Sequence, residues 1–269
     1  MAESAISGYS NHTGVPAPEL ADRDASGHLT IIPIKGIGEV NEGDELGQLI
    51  LDACGNTDRT TDSSKLLIAE GDVLVVTQKV VSKAEGRIVV VDEGDPRSHL
   101  PFVESEAVRI VRRRGDLVIT ETRHGFICAN SGVDRSNMAS GTAALLPIDP
   151  DRSANRIRTL IRRRAGIEVG VIVSDTFGRP WRRGLVDVAI GCSGIGAIVD
   201  LRGQRDSMGR ELMVTEICIA DEIAGAAELV MGKASSIPAC IIRGIDPSWL
   251  RESSVAAEVV RPPSEDLFR

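Results

Sequence analysis

Three strongly apolar runs constrain this chain more than any other feature: Val73–Thr77 (VLVVT), Ile167–Ser174 (IEVGVIVS) and residues 237–244 (IPACIIRG). A strand with one wet face alternates apolar and polar residues. These runs do not, so each reads as a strand buried in the core. Between them lie stretches of helical period. ELGQLILDAC is apolar at Leu46, Leu49, Ile50 and Ala53 and can end at Gly55. Ala154, Ile157, Leu160 and Ile161 form a second stripe, capped by Asp149, Asp151 or Ser153 and stopped by Gly166. VTEICIADEIAGAAELVM forms a third, with Gly232 at its end. LTIIPI, RIVVV, DLVITET and GFICANSG read as further strands. FVESEAVRIVRR predicts a helix through Val103, Ala107 and Ile110. QKVVSKAEG reads as a short helix or turn, and RDSMGREL as a hairpin turn. DTFGRPWRRG, with Gly178 and Pro180, predicts an irregular loop. The expected fold class is α+β (mixed α/β). Residues 1–28, rich in Gly, Ser, Pro and Asp, read as a disordered leader, and 29–269 as the folded domain, with room for two lobes.

The charge balance excludes whole classes of partner. Lys and Arg number 31 against 39 Asp and Glu, a net −8, so the chain's field repels nucleic acid and anionic membrane. A phosphate site must be built locally. No run of uncharged apolar residues is long enough to span a bilayer, and no secretory signal is visible. Five cysteines, widely spaced and without a C-x-x-C pair, argue against a disulfide framework or structural zinc and favour a reducing cytoplasm. His12, His28, His99 and His124 form no spaced cluster.

Four segments carry polar chemistry. Asp175-Thr176 ends a strand and is followed within eight residues by Arg179, Arg182 and Arg183, a set suited to a hard cation and anionic oxygens. The same Asp can also cap a turn, and the arginines can be a solvated loop. Residues 132–137 (GVDRSN) offer Asp134 as a second carboxylate and Asn137 as a donor, or an ordinary Asx turn. Residues 77–83 (TQKVVSK) present two lysines after a strand, and read equally as a surface turn. Residues 231–238 (MGKASSIP) have part of a P-loop's composition, but Ala227 and Ala234 occupy its required Gly and Ser/Thr places. Gly36-Ile37-Gly38 lacks the third glycine of a dinucleotide fingerprint, since Asn41 stands there.

Taken in order, VVTQKVVSKAEGR, SGVDRSN, DTFGRPWRRGLVDVAIG and VTEICIADEIAGAAELVMGKASSIPACIIRG resemble the coenzyme F420-0:gamma-glutamyl ligase family, both its archaeal type and the N-terminal half of its mycobacterial bifunctional type. The likeness runs from about Thr30 to Gly244. It implies a family-specific fold, neither P-loop nor ATP-grasp, and an intertwined homodimer. It implies GTP-driven addition of L-glutamate to the deazaflavin precursor F420-0, with magnesium or manganese (two ions) and potassium as activator. Carried over residue by residue, Ile37, Gly38, Glu39 and Val40 line the guanine nucleotide, with Gln78, Lys83 and Asn137. Asp134, Asp175 and Thr176 hold the metals. Met231, Gly232, Lys233, Ala234, Ser235, Ser236, Ile237 and Pro238 close over the nucleotide. Lys83 and Arg182 are expected to neutralise charge on the transferred phosphoryl group. Two departures stand out: Gln78 replaces a Ser of mycobacterial relatives, and Lys233 replaces a Gln that archaeal relatives give to the second metal. Because the sequence stops at Arg269 without a flavin-binding domain, a stand-alone ligase is expected. The alternative is another metal- and nucleotide-dependent acid–amine ligase or phosphotransfer enzyme on the same scaffold.

Overall fold

The computed structural model describes residues 27–56 and 67–267. The expected leader thus lies outside the described residues apart from its last two positions. From the N-terminus the chain forms β1 (Thr30–Pro33), α1 (Leu46–Cys54), β2 (Val73–Thr77), α2 (Gln78–Ala84), β3 (Ile88–Val90), α3 (Leu100–Glu106), β4 (Ala107–Arg114), β5 (Leu117–Thr122) and β6 (Ile127–Ala129). It continues through β7 (Thr142–Ala144), α4 (Pro150–Ala165), β8 (Gly170–Arg179), β9 (Arg182–Ser193), β10 (Val199–Asp200), β11 (Glu216–Ile217), α5 (Ile219–Met231), β12 (Ala239–Arg243) and α6 (Val255–Glu258).

The central sheet has the order β1-β12-β2-β8-β9. Only β2 and β8 run parallel; the other pairs are antiparallel. All three apolar runs lie in this sheet, and each is covered on both faces. Leu74, Val76, Val171 and Val173 pack with Leu51 of α1, Val81 of α2 and Ile157 and Ile161 of α4. Their strand neighbours Val73, Val75 and Ile172 pack on the other face with Ala220, Ile223, Ala224 and Met231 of α5. Period-two alternation divides one apolar run between two cores. The local signals hold as well: Asp149 caps α4 by accepting from the Arg152 N–H at 2.9 Å, and Gly166 ends it at φ 71°. Among the described residues no helix is long and apolar enough to cross a membrane.

Two expectations are corrected. The helix expected from residue 102 into the Arg112–Arg114 run stops at Glu106, and 107–114 form β4. Buried Glu106 pins that junction, with Arg87 and Arg123 each 2.8 Å away on its two oxygens. Val108, Ile110 and Val111 are β-branched, and the segment gains a ladder with β5. The stretch DTFGRPWRRG is a hairpin of paired strands, with β8 reaching Arg179, β9 starting at Arg182 and a register shift at Gly178/Arg179. Pro180 and Trp181 form its tip, where proline costs no ladder bond.

Candidate active site

The site forms where β8 outruns its neighbour. Parallel pairing of β2 with β8 ends at Thr77–Ser174, so Asp175 is the first residue of β8 beyond β2. A register shift at Val173/Ser174 against β9 immediately precedes it, a feature that re-aims strand side chains. By alternation Asp175 faces the α1–α2–α4 side and Thr176 the α5 side.

At the same level β2 passes directly into α2, and the four-residue spacing of that helix sorts its polar residues. Gln78 and Ser82 point inward. The Gln78 amide donates to Leu145 O at 3.0 Å, and Ser82 Oγ donates to the same carbonyl at 2.6 Å. Lys79 and Lys83 form the outer pair. Lys79 Nζ lies 2.9 Å from Asp134 Oδ2 and 3.0 Å from Ser136 Oγ. Lys83 Nζ lies 2.5 Å from Glu39 Oε1. One short helix therefore fastens both the 37–40 loop and the 134–137 loop. Asp134 is held further by backbone bonds in both directions with Ala144, at 2.9 and 2.8 Å.

The loop after α5 completes the rim. Asn137 Nδ2 donates to Lys233 O at 2.8 Å, tying that loop to the Asp134 loop. Thr77 N donates to Pro238 O at 2.9 Å, fixing its far end to β2. Asn137 (φ 52°) and Ser236 (φ 54°) both adopt left-handed backbone, a conformation costing about 1–3 kcal/mol at a non-glycine residue.

Electrostatically the site is over-supplied with carboxylates. Burial pushes the Asp175 carboxyl up to about 7; the charges of Asp134 and Asp187 push the same way, against the Thr176 N–H and Lys233. Asp134 is also raised by burial, but the Ser136 N–H and the Lys79 ammonium outweigh this and hold it below its ordinary value. Hard oxygen donors around an excess of negative charge fit a divalent cation such as magnesium or manganese. Among the described residues, however, no three His, Cys, Asp or Glu side chains converge as a ready-made ligand set.

The sequence-predicted residues are thus unevenly gathered. Asp134, Asp175, Thr176, Asn137 and Lys233 share one rim. Ile37, Gly38, Glu39 and Val40 adjoin it through Lys83; Gly38 and Glu39 are exposed, and Val40 is buried. Gly232, Ala234, Ser235 and Ser236 are exposed, and Ile237 and Pro238 half-buried. The Met231 side chain is fully buried in the core beneath α5. Gln78 is buried too, holding Leu145 as described. Arg182 is exposed at the hairpin tip, paired with Arg179. That tip lies four strand residues, or about 13 Å, from Asp175. Three contributors escaped sequence reading: Lys79 as the partner of Asp134, and Asp187 and Glu228 around Lys233. Asp187 left a signal, being the one carboxylate in the otherwise apolar run LVDVAIG.

Comparison with known proteins places the chain in a family. Residues 35–244, which include every rim residue, match the family described as F420-0:Gamma-glutamyl ligase. The coenzyme F420:L-glutamate ligase of Methanopyrus kandleri is 42% identical over 90% of this chain and 98% of its own length. The protein of the same name from Methanothermobacter thermautotrophicus is 38% identical over 90% of this chain and 99% of its own. That of Methanocaldococcus jannaschii is 42% identical over 75% and 86%. With the carboxylate rim inside the matched region and relatives of this similarity across most of the fold, the chain belongs to the F420-0:gamma-glutamyl ligase family and is a ligase enzyme.

Proposed function

We propose that this enzyme adds L-glutamate to F420-0 in a GTP-dependent reaction that releases GDP and phosphate. The observation carrying the reading is the electrostatic coupling of Asp175 to Asp134, 41 positions apart in sequence, with Lys79 holding Asp134 at the open end of the sheet. A carboxylate is a poor acyl donor because its oxygen leaves badly. Transfer of the γ-phosphoryl group breaks its bond to GDP and makes one to the acceptor carboxylate. The glutamate amine then attacks the carbonyl carbon, a proton is lost from nitrogen, and phosphate departs with the former carboxylate oxygen.

Such phosphoryl transfer needs mainly positioning and charge neutralisation. Asp134 and Asp175 would hold the resident divalent ion, magnesium or manganese. That ion supplies charge neutralisation at the phosphate oxygens. Lys79 orients Asp134 from α2. Lys83, with Glu39, positions the 37–40 loop for the guanine nucleotide and brings an ammonium toward the phosphates. Asn137 and the 232–238 loop cover the nucleotide from the other side. Arg182 serves the anionic acceptor or transferred group from the hairpin. Potassium as an activator rests on the family resemblance alone.

We further propose a homodimer in the cytoplasm. The three-stranded sheet β4-β5-β6 supports the dimer, since it exposes Val108, Ile110, Val111, Leu117 and Ile127. The five free thiols support a reducing compartment.

The test is incubation with magnesium, GTP, L-glutamate and F420-0, read by mass spectrometry, with ATP in parallel. A glutamyl-extended acceptor and stoichiometric GDP are expected. GTP cleavage with no extended product, or extension with a different amine only, would favour another acid–amine ligase.

A further inference from the structure

Lys233 places its ammonium among oxygens from three different elements. Its Nζ hydrogen-bonds Thr176 Oγ1 of β8, and lies 3.4 Å from Asp187 Oδ1 of β9 and 3.5 Å from Glu228 Oε1 of α5. The Thr176 hydroxyl in turn donates to Asp187 Oδ1 at 2.6 Å. Asp187 is buried, with its side chain 2% exposed, so its charge depends on partners supplied by the protein or by a bound ion. The backbone of Lys233 is itself anchored, its carbonyl accepting from Asn137.

Two carboxylates and a hydroxyl are the donors that a hard divalent cation takes. An ammonium, with three N–H donors and a compact charge, satisfies the same oxygens. We propose that Lys233 is a built-in cation: its ammonium occupies the position among Thr176, Asp187 and Glu228 that a second divalent ion would otherwise fill. The site then takes one exchangeable divalent ion, on the Asp134–Asp175 side. The charge count agrees. Around the rim, Asp134, Asp175, Asp187 and Glu228 face Lys79 and Lys233. Before nucleotide binds, the formal excess is two negative charges, the charge of one divalent ion.

This inference rests on the site being a metal–nucleotide site, and a count of bound ions tests it without turnover. The full chain is saturated with a non-hydrolysable GTP analogue and titrated with Mn2+, free ion being read by electron paramagnetic resonance. The wild-type chain is expected to bind one Mn2+. Lys233→Gln, which frees the three oxygens, is expected to bind two. Lys233→Arg, which keeps a cation there, returns the count to one. Two ions on the wild-type chain, or one on a folded Lys233→Gln chain, overturns the proposal and leaves the metal–nucleotide reading standing. No bound ion on the wild-type chain overturns both. Should Lys233→Gln fail to fold, Lys233→Ala, which also removes the ammonium, takes its place: two ions are expected, and one overturns the proposal.

Discussion

At Asp175 the proposed metal-binding role and the stability of the fold oppose one another. Its ordinary value of 3.8 is raised to about 7 in the fold, chiefly by burial. The folded chain therefore binds more protons than the unfolded chain between those values. Without metal, stability falls as pH rises through that window and levels off above it, a penalty of up to roughly 4 kcal/mol. Asp175→Asn removes the charge. It is expected to stabilise the metal-free protein by one to a few kcal/mol above pH 7, a gain that shrinks towards pH 4. The same variant should lose glutamate-dependent GDP release. Urea unfolding across pH with a chelator present, alongside an activity assay, checks both halves. Residues of this kind were legible in sequence because they interrupt apolar strands at their ends. Gln78 was legible only as a polar group near a strand terminus; that its amide turns inward to Leu145 depends on which face of α2 the sheet covers. Asp187 left its signal in the opposite way, as the one charge inside a run that otherwise reads as core.

At the scale of elements, α4 and β9 touch backbone to backbone. A Cβ placed on Gly191 would stand 2.3 Å from the Pro150 carbonyl carbon and 2.6 Å from Asp151 N. Withdrawal of α4 is opposed because the Asp151 carboxylate accepts from Cys192 N at 2.7 Å and from Val255 N at 2.8 Å. Gly191→Ala is accordingly expected to cost about 3 kcal/mol or more, seen as a lowered urea midpoint. The central strands and the three long helices of 9 to 16 residues followed from period and caps. The strand β4 did not, since AVRIVRR also offers apolar residues at helical spacing and only pairing with β5 decides between them. The β8–β9 hairpin was missed because Gly178 and Pro180 signal a break, whereas here Gly178 lies in the end of β8 and Pro180 in the tight reversal that follows.

For the whole molecule, two expectations can be measured directly. Magnesium with GTP should raise the melting temperature, by the equivalent of about 2.7 kcal/mol at a hundred times Kd, and Asp175→Asn should abolish the rise. Sedimentation should give the mass of two chains, and Ile110→Glu with Val111→Glu should yield one, because those exposed side chains cost little to the fold when changed. The net charge of −8 was informative only by exclusion; it could not reveal that Lys79, Lys83 and Lys233 each meet a carboxylate at one rim, since that depends on topology.

The projecting hairpin carries a mechanical corollary. Arg179 and Asp175 ride on the same stiff ribbon, clamped at its root by the sheet and unsupported by β2 along its length. Such a ribbon has the geometry of an oar in its rowlock: an anion held at the blade would load the handle, and Asp175 is seated at the pivot.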